Sequence, residues 1–209
     1  MNEIIAFDIE TVANKTLLER PGIIPEFEGK AGTKDPVKIK AQIEEKGRKF
    51  IANAALSPNY GKIVCISLRN DDTSVSFSGD DEPAIIRDTW GALKDCRELV
   101  GYNSKLFDLV FLLRRSWFLG IRPTSQYDLF PYRTVNHYDL RLILSHGDKT
   151  AAGKLSTYIK LKFGEDIEGK GSEVAELWAA GKIAEIVKHC ESDVGFTWRL
   201  FKSMQGFYI

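Results

Sequence analysis

Two carboxylates one residue apart, Asp8 and Glu10, directly follow the apolar residues 4–7 (Ile-Ile-Ala-Phe). The apolar run predicts a buried β-strand, and alternate side chains of a strand point to the same face. The two carboxylates would therefore lie about 6 to 7 Å apart, as suits ligands of Mg²⁺ or Mn²⁺. A solvated strand end is the alternative; the neighbouring apolar run argues against it, because two buried like charges are costly without a cation.

A third candidate carboxylate, Asp108, lies where a predicted strand (residues 99–102) gives way to a predicted helix (residues 105–118). We expect Asn103 to cap the amino end of that helix, and Asp108 to lie about one turn into it and face the carboxyl edge of the sheet. The helix dipole favours an Asp at such a position in any protein, so this motif alone does not indicate a site.

The last candidates, His189 and Asp193, lie on a helix predicted from residue 183 to about 204. They are four residues apart and share a helical face with apolar neighbours. A carboxylate ligand with a neutral imidazole one turn earlier could hold a metal ion and orient or deprotonate a water. An ordinary His–Asp pair on the surface remains the alternative.

Four carboxylates can hold two divalent ions on the oxygens of a phosphodiester. One ion would then activate a water and the other would stabilise the leaving 3′ oxygen, so that no covalent nucleophile is needed. The hypothesis is a two-metal site with Mg²⁺ or Mn²⁺, formed by Asp8, Glu10, Asp108 and Asp193.

The elements that must position these residues alternate in a way that predicts an α/β fold, with helices layered on a central sheet. Residues 62–69 and 73–78 are β-branched runs separated by Asn70, Asp71 and Asp72, which predicts a hairpin. Further helices are predicted at residues 82–93, 155–163 and 173–180. On the helix at 105–118, Phe111 and Trp117 are predicted to be core, and Arg114 and Arg115 to face phosphates or solvent.

An insertion at about residues 12–60 separates the first strand from the hairpin and contains a basic helix. Asp35 followed by Pro36 is a good helix start, and the helix is predicted to run to about residue 55. Residues 30–49 carry seven basic and three acidic side chains. This surface either contacts phosphates or is a solvated helix face.

Composition indicates one globular domain, residues 1–209, with 44% hydrophobic residues and a net charge of zero. There is thus no global positive field, and a nucleic-acid partner must be held by local patches. Cys65, Cys96 and Cys190 are too few and scattered for a disulfide framework, and are predicted to be small buried hydrophobes. Because a signal peptide and a membrane span are not evident, we expect a cytoplasmic protein without a membrane partner.

The motifs together resemble the DEDD superfamily of 3′-5′ exonucleases, most closely the exonuclease related to the proofreading domain of family B DNA polymerases. The resemblance rests on six segments in order: Phe-Asp-Ile-Glu-Thr (7–11), Gly-Lys-Ile-Val (61–64), Gly-Tyr-Asn-Ser-x-x-Phe-Asp (101–108), His-Tyr-Asp-Leu (137–140), Lys-Leu-Ser (154–156) and Cys-Glu-Ser-Asp-Val (190–194). Each is unspecific alone, whereas their order over nearly the whole chain is specific.

This resemblance implies a ribonuclease H-like fold, in which a mixed central sheet is flanked by helices, and catalysis by two divalent ions. It implies that Asp8, Glu10, Asp108 and Asp193 are metal ligands and that Glu10 also positions the 3′ end of the substrate. Substrate contacts are expected from Thr11, Asn103 and Phe107, and a supporting role, without metal contact, from Asp139.

One position departs from the family pattern. The branch that the chain resembles has Tyr four residues before the last Asp, and another branch has His five before it; here His189 stands at the Tyr spacing and Lys188 at the other. The two spacings differ by about 100° around a helix. His189 is therefore predicted to replace the Tyr hydroxyl beside the attacking water, where an imidazole is the better base near neutral pH.

The resulting hypothesis is a 3′-5′ exonuclease that acts on nucleic acid, with single-stranded DNA favoured and RNA possible. Two alternatives stay open. One is a catalytically inactive ribonuclease H-like module that binds nucleic acid or docks a partner, and the other is an endonuclease on the same scaffold. The sequence does not identify protein partners.

Overall fold

A computed structural model describes residues 4–131, 133–146, 148, 153–167 and 171–209. A five-stranded mixed sheet runs through the middle, in the order β3-β2-β1-β4-β5. β1 is antiparallel to β2 and parallel to β4; β2 is antiparallel to β3, and β4 is parallel to β5. The strands are β1 Ile4–Ala13, β2 Gly61–Arg69, β3 Ser74–Ser78, β4 Glu98–Gly101 and β5 His137–Asp139.

Helices cover both faces of the sheet. They are α1 Lys15–Leu18, α2 Pro36–Asn53, α3 Glu82–Ala92, α4 Asp108–Phe118, α5 Leu140–Leu144, α6 Leu155–Phe163, α7 Val174–Ala179 and α8 Ile183–Met204, with short 3₁₀ helices at Ala54–Leu56 and Gly171–Glu173. The mixed sheet with flanking helices agrees with the predicted α/β class, and the predicted bounds of α6 and α8 agree at both ends.

The central strand β1 divides the core in two by the alternation of its side chains. Ile5, Phe7 and Ile9 pack with residues of α3 and α4 on one face. Ala6 packs with α6 and α8 on the other face, and Val12 packs with α7 and the first part of α8. The residues between them on this second face are Asp8 and Glu10, which the strand therefore presents to α8.

The insertion contains the predicted basic helix, α2, at Pro36–Asn53. As expected, Asp35 caps it: its Oδ1 accepts the backbone N–H groups of Val37 at 2.9 Å and Lys38 at 3.4 Å, and Pro36 opens the helix. No residue of this helix is buried. It is joined to the sheet through the 3₁₀ helix Ala54–Leu56, whose Ala54 lies in the interior.

Helix α4 departs from the prediction at its start and on its outer face. It begins at Asp108 instead of residue 105, and Trp117 is exposed (73%) where a core position was predicted, whereas Phe111 is buried as expected. Arg115 faces neither phosphate nor solvent; its guanidinium is buried and forms a bidentate pair with Glu82, at 2.7 and 2.9 Å. A buried Arg needs an anionic partner, and here the partner is on α3, so the pair links α4 to α3.

Three short elements were missed by the sequence patterns: α1, β5 and α5. They have four, three and five residues, too few to show a repeating pattern of apolar side chains. Asp139 ends β5 and caps α5, since its Oδ1 accepts the N–H groups of Arg141 and Leu142. Among the described residues, no helix is long and apolar enough to cross a membrane.

Candidate metal and nuclease site

The carboxylate pair on β1 meets α8. The Nδ1 of His189 lies 2.9 Å from Glu10 Oε1 and 3.8 Å from Asp193 Oδ2. On the next residue of α8, the thiol of Cys190 lies 3.4 Å from the carbonyl oxygen and 3.5 Å from Oδ2 of Asp8. The i, i+4 spacing on the helix and the i, i+2 spacing on the strand thus bring two carboxylates from β1 against one from α8.

Asp108 reaches the same place from the other side of β1. β4 pairs with β1 only as far as Ala6, so β1 continues beyond its parallel neighbour. There the Oδ1 of Asp108 accepts the backbone N–H of Ile9, the residue between the two β1 carboxylates, at 3.2 Å. As the first residue of α4, this carboxylate also lies at a helix amino end, which favours a negative charge.

The turn between β4 and α4 positions Asp108, and Asp139 holds that turn. Asp139 accepts the backbone N–H groups of Asn103 at 3.0 Å and Lys105 at 2.9 Å. Asn103 adopts a left-handed conformation with φ of 67°, and a Cβ on Gly101 would lie only 2.3 Å from the Ser104 hydroxyl, so the chain folds back closely here. These contacts give Asp139 a positioning role, in keeping with its expected support of the site.

Asn103 is not the helix cap that the sequence predicted. The residue before α4 is Phe107, which makes no side-chain cap, and the Asn103 Oδ1 instead accepts a hydrogen bond from Arg141 at 3.0 Å. Its left-handed backbone forms a turn that delays the helix until Asp108. The helix prediction was wrong here because Asp139, 36 residues away in sequence, stabilises the turn.

The other two expected substrate residues are engaged within the chain. Thr11 is nearly buried, and its hydroxyl donates to the carbonyl of Ala55 at 2.7 Å, which ties β1 to the 3₁₀ helix after α2. Phe107 is half-buried and lies with its ring 5.6 Å from that of Phe111. Phe107 directly precedes Asp108 in the chain.

Burial, together with repulsion between neighbouring carboxylates, raises the pKa values of Asp8, Asp108 and Asp193. Burial raises the pKa of Asp8 well above its usual range, and Asp108, Glu10 and Asp193 raise it further. Burial also raises the pKa of Asp108 to about 8 and that of Asp193 to about 6. The contact with Glu10 raises the pKa of His189 against the opposing effect of burial. The four carboxylates therefore form one electrostatic cluster.

The donor set fits hard divalent cations. Carboxylate oxygens are the preferred ligands of Mg²⁺ and Mn²⁺, and a bound cation would remove the repulsion that raises these pKa values. Asp193 Oδ1 is buried and has no hydrogen-bond partner among the described residues. One group of ligand atoms, from Asp8, Glu10 and Cys190, lies within 4.8 Å of one another.

Cys190 is the residue of this cluster that the sequence did not indicate. All three cysteines are buried with free thiols, as predicted, but only Cys190 contacts a candidate ligand. The sequence position of Cys190 could have indicated this contact. It follows His189 directly and precedes Asp193 by three residues, which places it near their face of the helix.

A family model described as a predicted 3′-5′ exonuclease related to the exonuclease domain of PolB matches residues 46–208. The chain belongs to this family. The matched segment includes Asp108, His189 and Asp193, whereas Asp8 and Glu10 precede it and are joined to them by the fold. Membership supports a nuclease function of the 3′-5′ exonuclease type.

Among solved structures, the family B DNA polymerase from the hyperthermophilic archaeon Pyrobaculum calidifontis is similar, with a TM-score of 0.63 and 18% sequence identity. The match covers 96% of this chain and 24% of the polymerase, so the chain spans about a quarter of that protein. At this identity the likeness concerns the fold, and it confirms the expected single-domain, ribonuclease H-like architecture. No curated protein matches the chain significantly.

Proposed function

We propose that this protein is a two-metal-ion 3′-5′ exonuclease that removes nucleotides from the 3′ end of single-stranded DNA in the cytoplasm. The observation that carries the proposal is the convergence of four carboxylates from three separate elements on one partly buried cluster. They are Asp8, Glu10, Asp108 and Asp193, and the pKa values of the three aspartates are raised. Such a cluster is unfavourable for folding and is therefore better explained by a functional ligand than by stability.

The four carboxylates hold the metal ions, with Mg²⁺ or Mn²⁺ as the candidates. When bound, such ions supply charge neutralisation at the scissile phosphate and a water of lowered pKa. The chain's contribution is positional: the Ile9 N–H orients Asp108, and Asp139 holds the turn that carries it.

His189 acts on the attacking water. Its imidazole lies between Glu10 and Asp193, 2.9 and 3.8 Å from their nearest oxygens, and therefore beside two proposed ligands. The raised pKa of this histidine is caused first by Glu10, whose negative charge a metal ion would offset. With its neutral form restored in this way, His189 can accept the proton of the water.

The substrate strand approaches along the turn 103–107 and the insertion. Phe107 is half-buried and directly precedes Asp108, and an aromatic ring at that place can stack on the terminal base. A strand with unpaired bases is favoured because stacking on a side chain needs a free base face. RNA offers the same phosphates and faces, so the two substrates are distinguished by assay.

The test uses 5′-labelled oligonucleotides of three kinds: single-stranded DNA, duplex DNA and RNA. Each is incubated with the protein in Mg²⁺ or Mn²⁺, and separately in a chelator. With metal, we expect a ladder of labelled products that shows stepwise removal of nucleotides from the 3′ end of the single-stranded DNA. The ladder should be absent in the chelator and with the Asp193→Asn variant. Internal cuts in an unbroken circular strand would show an endonuclease instead. Strand binding without any cleavage would show an inactive binding module.

A further inference from the structure

Cys190 places a soft donor atom against the proposed hard-metal ligands. Its Sγ lies 3.5 Å from Asp8 Oδ2, and Sγ forms with one carboxylate oxygen from each of Asp8 and Glu10 a group within 4.8 Å of one another. The thiol is fully buried, and hydrolysis as proposed above does not use it.

The sulfur–oxygen distance matches that expected for two ligands of one Zn²⁺ ion. With a Zn–S bond of about 2.3 Å, a Zn–O bond of about 2.0 Å and a tetrahedral angle of about 109°, the two donor atoms lie about 3.5 Å apart. This equals the separation between Cys190 Sγ and Asp8 Oδ2. These two side chains need little rearrangement to share a tetrahedral ion.

His189 borders this group without belonging to it, because its ring nitrogens are not among the atoms that lie within 4.8 Å of one another. Both ring nitrogens are buried and lack an aligned hydrogen bond to any described residue, although Nδ1 lies 2.9 Å from Glu10 Oε1 at ion-pair distance. The side chain is only 10% exposed. The imidazole therefore contacts a carboxylate of the site, and an ion bound by Glu10 would change the surroundings of His189.

We propose that Asp8, Glu10 and Cys190 form a binding site for thiophilic divalent ions, foremost Zn²⁺, and that Zn²⁺ held there inhibits the nuclease. As the Zn–S bond forms, the thiol proton passes to solvent, and no change of oxidation state is involved. Mg²⁺ and Mn²⁺ prefer oxygen ligands and leave the thiol protonated. With Asp8 and Glu10 bound to zinc beside the thiolate, these two carboxylates are withdrawn from the catalytic metal ions.

The inhibition rests on the proposed nuclease function, but zinc binding does not, so the test reads the metal site directly. Metal-free protein is titrated with Cd²⁺, whose bond to a thiolate gives an ultraviolet charge-transfer band, and Zn²⁺ is then added as competitor. Wild type and the matched control Cys96→Ser, which changes a buried thiol elsewhere in the core, should show one band per protein that Zn²⁺ removes. Cys190→Ser should lack the band and bind Zn²⁺ at least about 10-fold more weakly.

Two results would overturn the site: no band in wild type, or a band that persists in Cys190→Ser. In the second case, loss of the band in Cys65→Ser would show that Cys65 is the sulfur ligand. If Cys190→Ser does not fold, as checked by circular dichroism, zinc X-ray absorption of the wild type decides. One sulfur at about 2.3 Å is expected, and a shell of oxygen and nitrogen only contradicts the assignment.

Assays of both activities separate the two proposals. A thiolate band without hydrolysis in Mg²⁺ or Mn²⁺ would refute the nuclease and keep the zinc site. Hydrolysis that stoichiometric Zn²⁺ does not inhibit, together with a missing band, would refute the zinc site and keep the nuclease.

Discussion

The carboxylate cluster and helix α2 both concentrate charge, and they differ in what surrounds it. The cluster gathers like charges from β1, α4 and α8 into a partly buried space, where the pKa of Asp108 is raised to about 8. Helix α2 has no buried residue, and its charges pair only locally, as in Lys49 with Glu45 at 3.2 Å. Charge in the cluster therefore opposes folding, whereas charge on α2 is nearly neutral for stability.

This difference indicates different functions. A buried like-charge cluster is destabilising unless protons or a cation neutralise it, so a bound metal ion would add to the stability of the fold. An exposed basic helix has no such requirement and can contact phosphates wherever a strand passes. Substitutions in the two regions should therefore separate catalysis from binding.

The largest effect is expected for Asp8→Asn, which keeps the shape of the side chain and removes one charge. Loss of a metal ligand should lower kcat/KM by on the order of 10³-fold or more, because metal stabilisation of the transition state amounts to several kcal/mol. In chelator the same variant should melt at a higher temperature than wild type, since Asp8 is repelled by Asp108, Glu10 and Asp193. The exposed Asp95→Asn is the matched control and should change neither. A melting temperature of the Asp8 variant below that of wild type would contradict the repulsion.

Next in size is the effect of His189. Removal of a general base costs about 10²- to 10⁴-fold, so His189→Ala should lower kcat by at least about 10²-fold with little change in KM. His189→Tyr should restore part of the loss if the position serves to orient the water. Single-turnover hydrolysis with Mn²⁺ measures both variants. Full activity of the alanine variant would remove His189 from the mechanism, and an inactive tyrosine variant would refute its equivalence to the family's Tyr.

The pH dependence of stability gives a third, smaller effect that involves the whole cluster. The folded-state pKa values of Asp108 (about 8) and Asp193 (about 6) lie above their usual 3.8. Stability from such groups is complete below the usual value and is lost as pH rises through the raised one. The raised pKa of His189 acts in the same direction, between its usual 6.5 and its folded value. In chelator, the melting temperature should therefore fall by at least about 3 °C between pH 5 and pH 8.

Divalent ions provide the control for this pH effect. With Mn²⁺ present the carboxylates bind the ion in their charged form, so the melting temperature should rise between pH 5 and pH 8 instead of falling. In chelator, the melting temperature of the Asp108→Asn variant should depend less on pH than that of wild type. A wild-type melting temperature that is constant or rises over this range without metal would show that the carboxyl groups titrate normally.

The sequence predicted the placement of the candidate side chains well where that placement depends on one element. Asp8 and Glu10 share a face of β1, and His189 and Asp193 a face of α8, because strand and helix periods follow directly from backbone geometry. The bounds of α6 and α8 were predicted for the same reason. The side chains of these elements repeat over enough residues for the period to be recognised.

Residues whose surroundings come from distant parts of the chain were not predicted correctly. The Asn103 turn depends on Asp139, and the burial of Arg115 depends on Glu82, partners that local patterns do not contain. Trp117 follows the apolar spacing of α4, but the interior does not extend to it. The contact of Cys190 with Asp8 likewise joins residues 182 positions apart.

The smallest effect is expected from the basic segment, through the triple variant of Lys30, Lys34 and Lys38 to Gln. All three side chains are exposed. If they contact strand phosphates, the Kd for single-stranded DNA should rise several-fold, and the slope of log K against log salt should fall by about 0.7 for each phosphate that is no longer neutralised. Fluorescence anisotropy in Ca²⁺, over a range of salt concentrations, measures both.

The control variant also loses three positive charges, but elsewhere on the surface. In it, the exposed residues Arg87, Lys94 and Lys160 are changed to Gln. Both triple variants should unfold within about 0.5 kcal/mol of wild type, because exposed charges contribute little to stability. They should also keep the kcat of wild type at saturating strand. A weaker Kd with a reduced salt slope in the insertion variant alone would assign the basic segment to strand binding. Equal slopes in the two variants would show that Lys30, Lys34 and Lys38 face solvent, and would direct the search for phosphate contacts to the turn at 103–107.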